Sequence, residues 1–218
     1  MGKEQTALQL IKEQKFEEAA KILIELMETY PEEPKHYMQF GQLLFQMKQY
    51  EEAERFLLKA IELDESIAAS FYSLGNLYYE TGLYDDAEKV FHHTLKLGLN
   101  DSDAHFMLGM TYVQKDKITL SLPYLQRSAE LSEEADKHFQ YGLSLAKLNY
   151  IEEAKEVFEK VIALDENHAD GLYNLAIIAM HEQDLQTATN YIEKTLQLQE
   201  NHALALQAKE TIEKLSEK

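Results

Sequence analysis

The chain of 218 residues is 45% hydrophobic and carries only three prolines and eight glycines, a composition that favours helix and supports a sizeable core. Its formal net charge of −18 argues against binding to nucleic acids or anionic membranes, because those partners require basic surfaces. The sequence has no cysteine, which excludes disulfides, zinc–thiolate centres and thiol catalysis, and it has no apolar run long enough to span a bilayer.

Apolar and small residues recur along the chain at three- and four-residue steps, which is the period of amphipathic helices rather than of strands. The pattern itself repeats about every 34 residues. Residues 68–101 form its clearest copy, with Ala68 at position 1 and Asp101 at position 34. Two helices joined by a short turn at residues 80–82 explain the spacing. The characteristic residues of this copy are Phe71, Leu74, Gly75, Tyr78, Gly82, Tyr84, Ala87 and Phe91.

Six such repeats follow one another. The first has Lys3 where later copies carry a large residue, as expected of a terminal repeat that faces solvent on one side. Pro34 opens the second, since proline is tolerated in the first turn of a helix. The predicted repeats span residues 1–33, 34–67, 68–101, 102–134, 135–168 and 169–202.

Repeat four departs from the pattern. Its turn at residues 115–117 has no glycine, and Pro123 lies inside its predicted second helix, where it removes one hydrogen bond. Gly109 and Gly142 are 33 residues apart, whereas Gly41, Gly75 and Gly109 follow at intervals of 34. We therefore expect irregular geometry in repeat four and a slightly different step to repeat five.

Residues 203–216 are predicted to form a final helix that caps the last repeat. Leu204, Leu206, Ile212 and Leu215 are expected on one side of it, with charged residues on the other.

The small and aromatic residues at these offsets resemble the tetratricopeptide repeat (TPR). The resemblance implies an all-α fold, a right-handed TPR α-solenoid of six helix-turn-helix repeats plus the capping helix, in a single domain over residues 1–218. The sequence is similar in particular to small stand-alone bacterial TPR proteins of the YrrB type, including the departure at residues 122–127.

In this family the first helix of each repeat lines a concave groove, and the resemblance assigns positions 2, 5, 6, 9, 12 and 13 to it. The predicted binding residues are Met38, Gln42, Phe45, Tyr72, Asn76, Tyr79, Asp103, Phe106, Met107, Met110, Asp136, Phe139, Gln140, Asp170, Tyr173, Asn174 and Ile177.

Two features of this set indicate a ligand. Position 5 is aromatic in four consecutive repeats, and position 2 is acidic in three. Rings, methionines and amides suit an extended peptide or a partner helix, and the acidic row favours Lys or Arg on it. We therefore expect a scaffold or adaptor that binds a basic or apolar protein or peptide. Two alternatives stay open: the rings only complete the core, or the protein mainly self-associates, weakly, end to end or through its final helix.

No pattern of a catalytic or cofactor site is present. The sequence lacks a Gly-rich phosphate loop, an HExxH pair and a nucleophile elbow, so we expect no enzyme, no cofactor and no metal. One TPR subclass clamps a terminal carboxylate with basic residues, but Tyr72, Asp103 and Met107 stand at those positions, and no such clamp is expected. Residues 1–5 contain no apolar segment, so we expect a cytoplasmic protein without a secretory signal.

Overall fold

The computed structural model describes residues 2–216, so the first residue of the predicted first repeat and the last two residues of the chain lie outside the described part. Within residues 2–216 the chain forms thirteen α-helices and no strand, which confirms the predicted all-α class. The helices group into two compact units. Unit 1 ends at Lys115 and unit 2 begins at Asp116, in the turn inside predicted repeat four.

Unit 1 contains seven of these helices, three successive hairpins followed by α7. Their bounds are α1 Lys3–Lys12, α2 Phe16–Thr29, α3 Pro34–Gln46, α4 Tyr50–Leu63, α5 Ala68–Glu80, α6 Tyr84–Lys96 and α7 Ser102–Gln114. The second helix of each hairpin buries one stripe, in which Leu23, Leu57 and Phe91 are fully inaccessible. Each such side chain contributes roughly 1.5–3 kcal/mol of burial free energy.

Unit 2 contains the remaining six. Their bounds are α8 Ile118–Glu130, α9 Ala135–Lys147, α10 Ile151–Leu164, α11 Ala169–His181, α12 Leu185–Leu198 and α13 Ala203–Ser216. From residue 34 onward, each predicted repeat therefore begins at the first residue of a helix. That the repeats form one domain stays a prediction.

The packing face of α13 differs from the predicted one. Ala205, Ala208 and Ile212 are buried in the cluster that joins α13 to α11 and α12. Leu204, Leu206 and Leu215 are 54%, 44% and 47% exposed, so the prediction that these leucines share a face with Ile212 is wrong. The reason is helical geometry, because residues spaced by three and four, here 205, 208 and 212, form the stripe that meets the neighbouring hairpin.

Every hairpin turn places one residue in the left-handed region, at position 15 of repeats two to six and at Gln14 in the first repeat. Gly82 has φ +77° there, and the other five turns place a residue with a side chain in the same region. Those five residues are Gln14, Lys48, Asp116, Asn149 and Gln183, with φ between 56° and 64°. The expectation that the turn of repeat four is irregular because it lacks glycine is therefore wrong, since glycine is the exception in this chain.

Pro123 does not interrupt its helix either. Helix α8 continues from Ile118 to Glu130 with the proline inside it. Pro123 and Thr119, whose carbonyl loses its helical donor, are both exposed residues, so water can supply the missing hydrogen bond.

No helix among residues 2–216 is long and apolar enough to cross a membrane.

Candidate functional site

The predicted binding residues of unit 1 lie on the first helices of its hairpins and are called the unit 1 groove face below. The set consists of Met38, Gln42 and Phe45 on α3, Tyr72, Asn76 and Tyr79 on α5, and Asp103, Phe106, Met107 and Met110 on α7. Asp103 is exposed and the other nine are partly buried. The helical period places them beside, rather than within, the stripe that packs against the second helices.

Four of these residues line one pocket between α3 and α5, with a volume of about 210 Å³. They are Gln42, Phe45, Tyr72 and Asn76, and the other lining residues are Gln46, Leu57 and Ser73. All seven side chains are uncharged, although the chain as a whole carries a net charge of −18. The pocket is therefore an apolar recess with an amide and hydroxyl rim, and it lacks a counter-ion for a charged guest.

The second helices support the pocket from behind. Leu57 of α4 is fully buried and packs against Gly41, where a β-carbon would approach its Cγ to 2.7 Å. In the next hairpin the Tyr72 ring lies 6.0 Å from the ring of the fully buried Phe91. One side of Tyr72 therefore completes the core, as one of the alternatives proposed, while another side borders the pocket.

The polar rim is partly fixed by hydrogen bonds between helices. Gln42 Nε2 donates to Ser73 Oγ at 2.8 Å, and Ser73 Oγ donates to the Ala69 carbonyl at 2.9 Å. This chain of bonds ties α3 to α5 along the pocket wall. Asn76 differs, since its Oδ1 is buried and has no hydrogen-bond partner among the described residues.

Tyr79 lies beyond the pocket on the same helix. Its ring is 5.6 Å from that of Tyr84, and its hydroxyl accepts a hydrogen bond of 3.3 Å from Gln114 Nε2 on α7. Burial raises the pKa of the Tyr79 hydroxyl, an effect that the bond from Gln114 opposes. This residue therefore links α5 to α7. Met38 likewise packs against the hydrophobic core of the unit.

The predicted binding residues of unit 2, called the unit 2 groove face, are engaged differently. They are Asp136, Phe139 and Gln140 on α9 and Asp170, Tyr173, Asn174 and Ile177 on α11. Asp136 Oδ1 lies 3.3 Å from Nε2 of His168, and the Phe139 ring lies 4.7 Å from the same imidazole. One histidine thus contacts both the acidic and the aromatic member of the preceding repeat.

The same arrangement recurs one repeat later. Asp170 Oδ1 lies 3.1 Å from Nε2 of His202, and the Tyr173 ring lies 5.1 Å from that imidazole. Asp170 also accepts a bond of 2.8 Å at its main-chain carbonyl from Asn174 Nδ2, which ties that amide to its own helix. We call each Asp–aromatic–His group an inter-repeat clasp.

Backbone bonds fix the orientation of both imidazoles. His168 Nδ1 accepts from the main-chain N–H of Gly171 at 3.0 Å and so caps α11. His202 Nδ1 accepts from Ala205 N–H at 3.1 Å. Because Nδ1 is an acceptor, the neutral ring carries its proton on Nε2, which then donates to the aspartate. The clasps therefore join each first helix to the start of the next.

Sequence reasoning did not identify the two histidines. A signal was present, since Asn-His-Ala occurs at residues 167–169 and again at 201–203, one repeat length apart. The predicted binding set also lacks three residues that line the pocket, Gln46, Leu57 and Ser73. Gln46 at position 13 and Ser73 at position 6 stand at groove positions, whereas the position of Leu57 belongs to the core. No group of three or more His, Asp or Glu side chains in residues 2–216 is arranged to hold a metal ion.

Comparison with known sequences gives matches to one family. A TPR repeat model matches residues 41–82, and tetratricopeptide repeat models match residues 72–136 and 138–168. None of the curated proteins matches the chain.

Solved structures with the same fold include YrrB, described as a TPR protein with an unusual peptide-binding site. It is 33% identical, covers 88% of this chain and 99% of its own, and has a TM-score of 0.79. PilF of Pseudomonas aeruginosa is 18% identical, covers 95% of each chain and has a TM-score of 0.84. MamA of Desulfovibrio magneticus is 23% identical, covers 78% of this chain and 97% of its own, and has a TM-score of 0.71. The last two likenesses concern the fold alone.

Proposed function

Because the chain belongs to the tetratricopeptide repeat family, whose members generally serve protein–protein interaction, we propose that it is a non-enzymatic scaffold that binds a peptide or partner protein on the unit 1 groove face. The observation that carries the proposal is the open pocket between α3 and α5, which gathers four of the predicted binding residues.

Two further points support this surface. YrrB, which shares a third of its residues with this chain, is described as having a peptide-binding site. In addition, the rings and methionines of the unit 1 groove face keep partly accessible apolar area that no second helix covers. A side chain buried there on binding contributes roughly 1.5–3 kcal/mol, so a few such contacts are enough for a specific complex.

The unit 2 groove face has a weaker claim. Its two clasps already use Phe139, Tyr173, Asp136 and Asp170 in contacts between repeats. Asp136 stays 90% exposed and Asp170 57% exposed, so both can still attract Lys or Arg on a partner. In this proposal, unit 1 supplies apolar contacts and the acidic surface sets a preference for a basic partner.

Partner capture tests the proposal. Immobilised wild-type protein and the Tyr72→Ala/Phe106→Ala variant are incubated with lysate of the native source, and retained proteins are quantified. Capture should fall strongly in the groove variant while helical content stays unchanged. The matched control is Leu58→Ala/Leu83→Ala, which removes two exposed leucines of the same unit outside the groove face. Undiminished capture by the groove variant would show that the partner uses another surface.

A second candidate function is self-association through α13. The observation in its favour is that Leu204, Leu206 and Leu215 are exposed by 54%, 44% and 47% on the last helix. Light scattering over a range of concentrations distinguishes the two candidates. A concentration-dependent mass that disappears in Leu204→Lys/Leu215→Lys supports assembly, and a constant monomer mass removes it.

A further inference from the structure

We propose that the pocket between α3 and α5 receives a single uncharged apolar side chain, of the phenylalanine or leucine class, from an extended segment of the partner. The inference rests on the proposed function and names the chemistry that the same site selects. It is carried by the volume of the pocket, by its lining and by the unpartnered side-chain oxygen of Asn76.

Volume limits the guest to one side chain. Pockets for metabolites and drug-sized ligands have volumes of about 300–1,000 Å³, whereas this pocket holds about 210 Å³. A cavity of about 150 Å³ lined by apolar side chains is enough to hold a benzene molecule. A phenyl ring therefore fits, while a nucleotide or another cofactor of that size does not.

The lining excludes charge. Phe45 and Tyr72 provide the accessible apolar surface, with the fully buried Leu57 behind them, and the polar atoms come only from amides and hydroxyl groups. A lysine ammonium or a carboxylate placed there would lose water without gaining a counter-ion, which is costly. The acidic residues elsewhere on the chain therefore attract a basic partner from a distance, but they do not select the side chain that enters the pocket.

The rim is suited to the main chain on either side of that side chain. The Gln42–Ser73 bond of 2.8 Å holds α3 and α5 together, so the pocket is formed before a ligand arrives. Asn76 Oδ1 is buried without a donor, an unusual state for a polar atom in a folded protein. No hydrogen bond through Oδ1 fixes the side-chain amide of Asn76. Rotation about the Cβ–Cγ bond can therefore turn this amide toward a bound peptide and let it pair with a main-chain N–H or C=O group.

Binding of one set of host peptides tests the proposal. The probe is acetyl-Ser-Ser-X-Ser-Ser-amide with X as Phe, Leu, Ala, Lys or Asp, titrated into ¹⁵N-labelled protein and followed by chemical-shift changes. The Phe and Leu peptides should bind at least about tenfold more tightly than the Ala peptide, because their side chains are buried. The Lys and Asp peptides should bind at least about tenfold more weakly than the Phe peptide, because the pocket offers no counter-ion. The shifts should centre on residues 42–46 and 72–76.

Two variants separate the contribution of the apolar pocket wall from that of the Asn76 amide. Tyr72→Ala should abolish the preference for Phe over Ala, and Asn76→Ala should weaken all guests by a similar factor. Tyr150→Ala, which removes a half-exposed ring of unit 2 outside both groove faces, is the matched control and should leave the series unchanged. A Lys or Asp guest that binds as well as Phe, or shifts that centre elsewhere, overturns the inference. If partner capture still depends on Tyr72 and Phe106 in that case, the proposed function survives and only the pocket chemistry is rejected.

Discussion

Gly75 and Phe91 occupy complementary space at the crossing of α5 and α6. A β-carbon on Gly75 would lie 2.6 Å from Cε1 of Phe91, whose side chain is fully buried. Gly142 and Phe158 repeat the relationship in unit 2, where the same distance is 2.8 Å. Even a methyl group is therefore too large at position 8 when a phenylalanine stands at position 24 of the same repeat.

Replacing Gly75 by alanine should destabilise the protein by about 1–3 kcal/mol, because Phe91 has no free space into which to move. Repeat six shows how a methyl group can be accommodated, since Ala176 and Ile192 occupy positions 8 and 24 and are both buried in one cluster. The double variant Gly75→Ala/Phe91→Ile should therefore be less destabilised than the sum of the single variants, by roughly 1 kcal/mol. Urea unfolding of the four proteins measures this, and strictly additive losses would contradict the steric account.

The repeat pattern predicted the helices and most of their packing residues because both follow from local periodicity. Positions 7, 8 and 24 recur in every hairpin, so one good copy identifies the others. The candidate site was harder to predict. Position 5 carries an aromatic ring in both units, yet Tyr72 borders a pocket while Phe139 lies tilted against an imidazole. That difference depends on the residue at the start of the next repeat, which a pattern within one repeat does not reveal.

Lys155 and Glu182 form an ion pair between repeats five and six that has its counterpart, with charges exchanged, in Glu88 and Lys115 of unit 1. Lys155 Nζ lies 2.7 Å and 2.8 Å from the two carboxylate oxygens of Glu182. Both pairs join position 21 of one repeat to position 14 of the next. Glu182 raises the pKa of Lys155, as expected for a close partner.

Reversing both charges, as in Lys155→Glu/Glu182→Lys, should leave stability close to wild type, since unit 1 already uses the reversed pair. Lys155→Glu alone should cost about 0.5–1 kcal/mol, because it brings two carboxylates together in a half-exposed site. Thermal unfolding of the double-mutant cycle at low salt provides the coupling energy. A double variant that is as unstable as the sum of the single ones would show that the pair contributes nothing.

His168 is expected to stabilise unit 2 in two separable ways, through its cap on α11 and through its clasp contacts with Phe139 and Asp136. His168→Ala should lower the free energy of unfolding by about 1–2 kcal/mol, because the N–H of Gly171 loses its acceptor and the ring loses its neighbour. His168→Asn should recover roughly half of that loss, since asparagine is a good N-cap residue but has no ring. Denaturant unfolding of wild type, His168→Ala and His168→Asn measures how much of the stabilisation comes from the cap and how much from the ring.

An equal loss in both variants would assign the whole effect to the clasp contacts of His168 with Phe139 and Asp136. If His168→Asn recovers the full free energy of unfolding, the whole effect belongs to the cap and the clasp does not stabilise the protein.

The stabilisation from Asp184 should depend on pH. Its Oδ1 accepts the Thr187 N–H at 3.0 Å at the start of α12, and the hydrogen bonds from Thr187 lower the pKa of the carboxyl from its usual value of 3.8. A carboxyl whose pKa is lower in the folded protein stabilises it at every pH above the unfolded value. This contribution disappears as the pH falls from about 4 through the folded pKa.

The comparison that checks this is Asp184→Asn, which keeps an N-cap acceptor but does not titrate. The melting temperature of wild type should exceed that of Asp184→Asn at pH 7, where the charged cap interacts with the helix dipole and with Lys155. The difference should be constant down to about pH 5 and should shrink below pH 4, because the carboxylate then takes up its proton. A difference that persists unchanged at pH 2.5 would mean that the charge of Asp184 does not contribute, and that the cap acts through its neutral hydrogen bond alone.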